Sequence, residues 1–354
     1  MPAPPISEER LKETIELVDK HKGSTRKVAQ ELNISEGAVR IRMKNAKSRG
    51  LIKGEEEPES KPPFWINDLP DEDIPVEDLV KQGVERWERK ERSHNARKLI
   101  NVNLRKKLDG VFGLAIIGDP HLDDDGCNWR KITEDNKAMV DADMVAINIG
   151  DLTNNWIGRL MSKYADQETT RKQAIKLIEW YLTKTKVYWA GVIGGNHDFW
   201  GHEHGSVIDF IMKSQPGMFQ NHGFRMNLKC PNGRQIRVNC RHDFAGNSQW
   251  NETHAISKAA RFGTDDIYAA GHKHTSGYQI IKDPESSKIS HAVRVAGYKE
   301  IDDFALQKGF REHKIWESMC FIIDPYQEDP LRFIKPVFSL TEAAEEIKWK
   351  RNRK

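Results

Sequence analysis

Five times between residues 112 and 274 a short apolar run breaks off into a tight polar turn that carries Asp, Asn or His. The runs are Phe112–Ile117, Met144–Ile149, Val187–Ile193, Ile236–Cys240 and Ile267–Ala270. Each has the length of a strand and little alternation, the pattern of strands covered on both faces. Amphipathic stretches lie between them, clearest at Thr169–Thr183. Strands alternating with helices predict an α/β architecture with layered sheets.

The first run leads into Gly118-Asp119-Pro120-His121 and the second into Gly150-Asp151. The third leads into Gly195-Asn196-His197-Asp198, the fourth into Arg241-His242-Asp243, the fifth into Gly271-His272-Lys273-His274. Open α/β sheets gather their sites at strand C-termini, and glycine there lets the backbone approach a bound group. A lone Gly-Asp is common, and a lone His after a strand is more often structural than a ligand. The five blocks taken in order closely resemble the calcineurin-like metallophosphoesterase family, whose pattern is D-x-H, G-D, G-N-H-[D/E], H, G-H-x-H. The resemblance covers about half the chain and leaves out the first hundred or so residues and the tail.

That resemblance implies a layered β-sandwich flanked by helices over residues 108–340. It implies that Asp119, His121 and His274 hold one divalent metal ion, that Asn196, His242 and His272 hold a second, and that Asp151 bridges them. Mixed carboxylate, imidazole and amide donors suit manganese first, with iron, nickel and zinc as alternatives. A two-metal site lowers the pKa of a bridging water, so that hydroxide is available for in-line attack on phosphorus, and neutralises charge on the phosphate oxygens. His197 resembles the family histidine beside the metals, which stabilises the transition state or protonates the leaving oxygen. Asp198 is expected to orient it by accepting a hydrogen bond from its other nitrogen. His254 is a rival to His242 as a ligand. Its surroundings, with Asn247, read more as a substrate-contacting loop. His202 and His204 form another H-x-H that lines the cleft or sits on a solvated loop. Asp123, Asp124 and Asp125 add negative potential near the metals or form a solvated turn.

Residues 7–50 read as three short helices: one from Ser7 to about Lys22, one over Thr25–Leu32, and one capped by Ser35 and running to about Lys47. Breaks fall at Gly23-Ser24 and Asn33-Ile34-Ser35. Thr25–Gly50 resembles the DNA-binding helix-turn-helix, which implies a small all-α module over residues 1–53 with Arg40, Arg42, Lys44 and Lys47 facing nucleic acid. A small bundle with a basic solvated face is the plainer reading.

Charge is distributed in blocks. Residues 1–54 hold 12 Lys/Arg against 7 Asp/Glu, residues 55–80 hold 1 against 10, and residues 81–107 hold 10 against 3. Residues 54–80 therefore read as an acidic, Pro-rich linker, with Phe64-Trp65-Ile66 pinning it to the next domain. Residues 76–107 read as a basic helix, assigned as its own segment over 81–107 and anchored by Leu79, Val84 and Trp87. Residues 341–354 read as a charged tail. Cys127, Cys230, Cys240 and Cys320 form no C-x-x-C pair and read as ordinary thiols. No apolar run approaches the roughly 18–20 residues that span a bilayer, and Met1-Pro-Ala-Pro-Pro lacks a secretory pattern. A cytoplasmic protein without a membrane partner is expected. The layout is similar to that of bacteriophage and prophage proteins, which implies a bacterial or phage-infected host cytoplasm.

Three functions stay open on this basis. One is a phosphodiesterase or nuclease acting on DNA, concentrated on its substrate by the basic module. Another is a phosphatase or phosphodiesterase for small molecules or phosphoproteins, with the module used for docking. The third is an inactive DNA-binding regulator, against which the complete ligand set argues.

Overall fold

The computed structural model of the chain describes residues 6–52, 74–200, 203–246, 248, 250–301, 309 and 314–353. The expected anchor Phe64-Trp65-Ile66 and most of the acidic linker lie outside the described residues. The chain divides into two compact units, Met1–Ser93 and His94–Lys354.

In the first unit, helices follow their capping signals. α1 (Glu8–Lys20) begins after Ser7, whose hydroxyl accepts from the Arg10 N–H. α2 (Thr25–Leu32) ends on Asn33, which takes the left-handed conformation at φ 54°. α3 (Glu36–Ser48) begins after Ser35, whose hydroxyl accepts from the Ala38 N–H. Ile6, Leu11 and Ala46 form one buried cluster, and Val28, Ala29 and Val39 form another. Arg40, Lys44 and Lys47 are exposed. Arg42 is not; it is only 6% exposed. It stands three residues after Val39 and four before Ala46, the spacing that shares one helix face, so it faces the bundle and not solvent.

The basic helix ends earlier than residue 107. α4 spans Val76–Arg97 and contains no buried residue. Leu79, Val84 and Trp87 are therefore not anchors among the described residues; Trp87 is 61% exposed. Beyond α4 the chain turns into strand β1 (Ile100–Asn103), which pairs in parallel with residues 226–229. Residues 106–108 form a short 3-10 turn.

The second unit continues as β2 (Phe112–Ile117), α5 (Trp129–Asp141), β3 (Val145–Asn148), α6 (Arg171–Thr183), β4 (Tyr188–Gly194), α7 (Asn196–Phe199) and α8 (Glu203–Lys213). Then come β5 (Met218–Asn221), β6 (Gly223–Lys229), β7 (Gln235–Arg241), α9 (His254–Phe262), β8 (Ile267–Ala270), β9 (Gly277–Lys282) and β10 (Ile289–Arg294). The described chain closes with β11 (Ser318–Ile323), α10 (Pro330–Phe333), β12 (Ile334–Val337) and α11 (Leu340–Arg351). The strands form two six-stranded mixed sheets, ordered β1-β6-β7-β8-β10-β9 and β12-β11-β2-β3-β4-β5.

Strand periodicity explains the layering. Phe112, Leu114 and Ile116 point from β2 into the core between the sheets, against Met226, Leu228, Val238 and Ile267. Ala115 and Ile117 point the other way, into a core shared with Ile132, Ile178 and Ile347 of the covering helices. Each fully buried side chain of this size contributes about 1.5–3 kcal/mol. The expected tail belongs to this core, because Leu340, Ala343, Ala344 and Ile347 of α11 repeat at i, i+3, i+4, i+7 and are buried. Arg351, at i+11, continues this face and donates to the carbonyls of Val111 (2.9 Å) and Ala142 (3.0 Å).

Strand direction positions the site. β2, β3 and β4 are mutually parallel, so the turns that carry Asp119, Asp151 and Asn196 emerge at one end of their sheet. β7 and β8 are parallel in the other sheet and deliver His242 and His272 together. The four cysteines are buried and free. No helix of the described residues is long and apolar enough to cross a membrane.

Candidate metal centre

The polar turns after β2, β3, β4, β7 and β8 meet. Nε2 of His242 lies 2.9 Å from Oδ1 of Asn196, 3.3 Å from Oδ2 of Asp151 and 3.1 Å from Nδ1 of His272. The Nε2 atoms of His121 and His274 are 3.3 Å apart. Asp119 accepts a 2.5 Å hydrogen bond from the His272 N–H, and its other oxygen is 3.6 Å from Nδ1 of His242. Asp119, His121, Asp151, Asn196, His242, His272 and His274 are thus gathered in one place. His254 is not; it is exposed in the first turn of α9. Asn247 and His202 lie outside the described residues. His204 is buried, with Nδ1 2.7 Å from the Thr153 hydroxyl, and is not on a solvated loop.

Among the described residues, two groups of donors could each hold a metal ion: His121, Asp151 and His197, and Asp151, His242 and His272. Within each group the ligand atoms lie within 4.8 Å of one another, and Asp151 belongs to both. Its two oxygens suit a shared position.

The backbone is strained where the donors are. Asp119, His121, Asp151, His272 and His274 all have positive φ, between 42° and 67°. Non-glycine residues seldom adopt this region, and such outliers persist only where surrounding structure holds them. Glycine supplies the close approaches: a Cβ at Gly195 would collide with Asp151 Oδ1, and one at Gly271 with Asp119 Oδ2. Any other residue at either position would push the turns apart.

Electrostatics also fit a cation. Burial pushes the His121 imidazole well below its ordinary pKa, with help from His274. Burial, together with the charge of His242, lowers His272 to about 4. Both are therefore neutral near pH 7, the form that binds metals. Burial opposes ionisation of Asp151, but His242 and His197 outweigh it and hold its carboxyl far below the usual carboxylate range. Burial likewise opposes a charge on His242, yet Asp151 and Asp119 raise its pKa to about 10, so a cation bound there would have to displace its proton. Burial pushes Asp119 up to about 8. Buried carboxylates need positive charge beside them. Asp119 Oδ1 and His121 Nδ1 are buried without a hydrogen-bond partner among the described residues. Orphaned acceptors beside neutral imidazoles are what a divalent cation would satisfy.

His197 lies at the edge of this group, with Nε2 3.9 Å from Asp151 Oδ2. Its orienting partner is not Asp198. The Asp198 carboxylate accepts from the backbone N–H groups of Leu152 (3.2 Å) and Gly195 (2.9 Å), bracing the turn after β4. Two aligned amides outcompete one imidazole for a short side chain that points back into the turn. Nδ1 of His197 instead donates to the Asn154 carbonyl at 2.5 Å. Trp200 covers the ring, with centroids 3.9 Å apart, and Trp156 meets it edge-on at 5.6 Å.

Asp123 and Asp124 are built into the fold, whereas Asp125 is exposed in a turn. Asp123 is fully buried and accepts from the Asn154 N–H at 2.7 Å. Asp124 accepts from the Asn154 side chain at 2.7 Å and pairs with Lys299 at 2.9 Å. Asp125 accepts from the Glu168 N–H at 3.1 Å. Asn154, Trp156, Trp200 and Lys299 are thus site neighbours that pattern reading missed.

No family model and no curated protein matches the chain. Solved structures do match at low identity. A conserved uncharacterized protein from Streptococcus pneumoniae TIGR4, described as a predicted phosphoesterase, is 12% identical, with 60% of this chain and 84% of that one covered at a TM-score of 0.29. GAP50, the anchor in the inner membrane complex of Plasmodium, is 8% identical, with 68% and 95% covered at a TM-score of 0.31. Likeness at this level leaves the functional reading to the site itself.

Proposed function

We propose that the chain is a phosphoester hydrolase dependent on two divalent cations, and that its substrate is a phosphodiester of nucleic acid. The observation that carries the first part is the double use of Asp151, which stands in both groups of donors. Asp119, His121 and His274 would hold one cation, Asn196, His242 and His272 the other, with Asp151 between. Bound there, the cations would acidify a water and neutralise the phosphate oxygens.

The chain's own groups supply the rest. A carbonyl can only accept, so the His197–Asn154 contact fixes the proton on Nδ1 and leaves a lone pair on Nε2. Burial lowers the pKa of His197 and keeps it neutral. Its Nε2 can then take a proton from the attacking water and return it to the leaving oxygen. Trp200 and Trp156 restrict the ring's movement and shield it from bulk water.

The nucleic-acid reading is supported by the exposed Arg40, Lys44 and Lys47 on α3, a helix that follows α2 after a three-residue turn. Such a module would raise the local concentration of substrate. The test compares bis-p-nitrophenyl phosphate with p-nitrophenyl phosphate, then single- and double-stranded DNA, all with the full chain and Mn²⁺. Diester preference and DNA cleavage are expected. Hydrolysis of small phosphoesters without DNA cleavage would favour a small-molecule or phosphoprotein substrate instead. No hydrolysis with any divalent metal would end the hydrolase reading.

A further inference from the structure

We infer that Arg294 is a positioning residue that fixes the spacing between the His242 loop and the His272 loop, and thereby determines whether the second cation can bind. This rests on the reading that His242 and His272, with Asn196 and Asp151, hold that cation. Arg294 closes β10, in register with Ala270 at the end of β8. Its side chain is almost wholly buried, and the residue is 3% exposed.

The guanidinium reaches three different loops. Nε donates to the Glu252 carbonyl at 2.8 Å. One terminal nitrogen donates to the Gly271 carbonyl, immediately before His272. The other donates to Asp243 Oδ1 at 3.2 Å, immediately after His242. Gly271 also faces Asp119, and the next N–H, that of His272, is bonded to Asp119. One buried fork therefore ties both imidazole-bearing turns to each other and to the segment that leads into α9. His242 and His272 stand 3.1 Å apart at their nearest nitrogens, so a small separation of the turns would break the pair.

Arginine is needed for geometric reasons. Its five donors diverge from a rigid plane, whereas lysine offers one compact charge. A buried cation is retained only when its donors are met, and here they are met by acceptors on the turns that must be held. Arg294 hydrogen-bonds the turns and not the candidate ligand side chains themselves, although its charge also reaches Asp119. Outer partners of metal ligands typically change metal affinity 10- to 100-fold when removed.

The test uses the full chain as wild type, Arg294→Lys, Arg294→Gln and Asp243→Asn. Each is titrated with Mn²⁺ by calorimetry, and bound Mn²⁺ is followed by electron paramagnetic resonance. The wild type is expected to bind two ions and show an exchange-coupled pair. Arg294→Lys and Arg294→Gln are expected to weaken one ion by about 10- to 100-fold, giving the spectrum of an isolated ion at one equivalent. Asp243→Asn, on a partly exposed loop, is expected to weaken the same ion by a smaller factor, and it decides the matter if the Arg294 variants do not fold. Retention of both ions at wild-type affinity in the folded variants overturns the inference. Equal weakening of both ions does so too, since that is what general loss of support would give. A wild type that never binds a pair overturns the hydrolase reading itself, and the inference with it.

Discussion

Nδ1 of His197 donates to the carbonyl oxygen of Asn154, while Asp198, the next residue in sequence, turns away and braces the backbone. Asp198→Asn should therefore behave as a turn mutation. An amide can accept from only one of the two N–H groups, and its NH₂ opposes the other. The cost is about 1–3 kcal/mol for the unmet donor. A fall in Tm of several degrees is expected, with no displacement of the acid limb of the pH–rate profile. A displaced limb with unchanged Tm would restore Asp198 as the partner of His197.

Asp151 is the carboxylate that both donor groups need. Asp151→Asn removes its charge from beside His242 and His197. Removing one partner of a buried charge cluster costs about 3–5 kcal/mol of stability, and both candidate donor groups lose their shared carboxylate. Elemental analysis after dialysis should show both cations reduced together and turnover lost. Loss of one cation alone would show that Asp151 does not lie between two.

Burial explains part of what could be read in the sequence, though β10 and β11 are buried almost throughout and were not among the expected strands. β2 and β8 match their apolar runs residue for residue, because a strand covered on both faces is apolar throughout. β9 and β12 gave no such run. Gly277–Lys282 is partly exposed along its length, and β12 carries Lys335 and Pro336 at an edge. Ile100–Asn103 reads as the continuation of a helix until its pairing with β6 is known. The candidate donors could be picked out because each follows its own strand. Asn154, Trp200 and Arg294 could not, because their roles come from contacts between segments distant in sequence, or from a carbonyl that any residue carries.

His291 lies away from the site, buried in β10, with Nδ1 2.6 Å from the Tyr278 hydroxyl. Burial lowers its pKa to about 4 from an ordinary 6.5. Between those values the unfolded chain binds a proton that the folded chain refuses, so stability rises with pH there. On acidification the loss begins near pH 6.5 and grows to roughly 3 kcal/mol near pH 4. His291→Gln keeps an acceptor for Tyr278 but cannot titrate. Denaturant melts of both proteins across this range should show a shallower acid slope for the variant. Parallel slopes would mean that His291 takes up its proton without unfolding.

The first unit separates two arginines that lie two residues apart. Arg40 is exposed on α3, whereas Arg42 is buried among Val39, Ala46 and their neighbours. If α3 meets DNA, Arg40→Ala and Lys47→Ala should each weaken binding and reduce the salt slope by about 0.9, the share of one phosphate contact. Arg42→Ala should instead lower the unfolding temperature of the unit. Its effect on DNA affinity should follow the unfolded fraction alone and leave the slope of log Kd against log salt unchanged at temperatures where the unit is folded. Fluorescence anisotropy with labelled duplex over a salt series, beside thermal melts, measures both. Arg42→Ala changing the salt slope with no loss of stability would show that its guanidinium reaches a phosphate after all. Unaltered slopes for Arg40→Ala and Lys47→Ala would remove α3 from the interface.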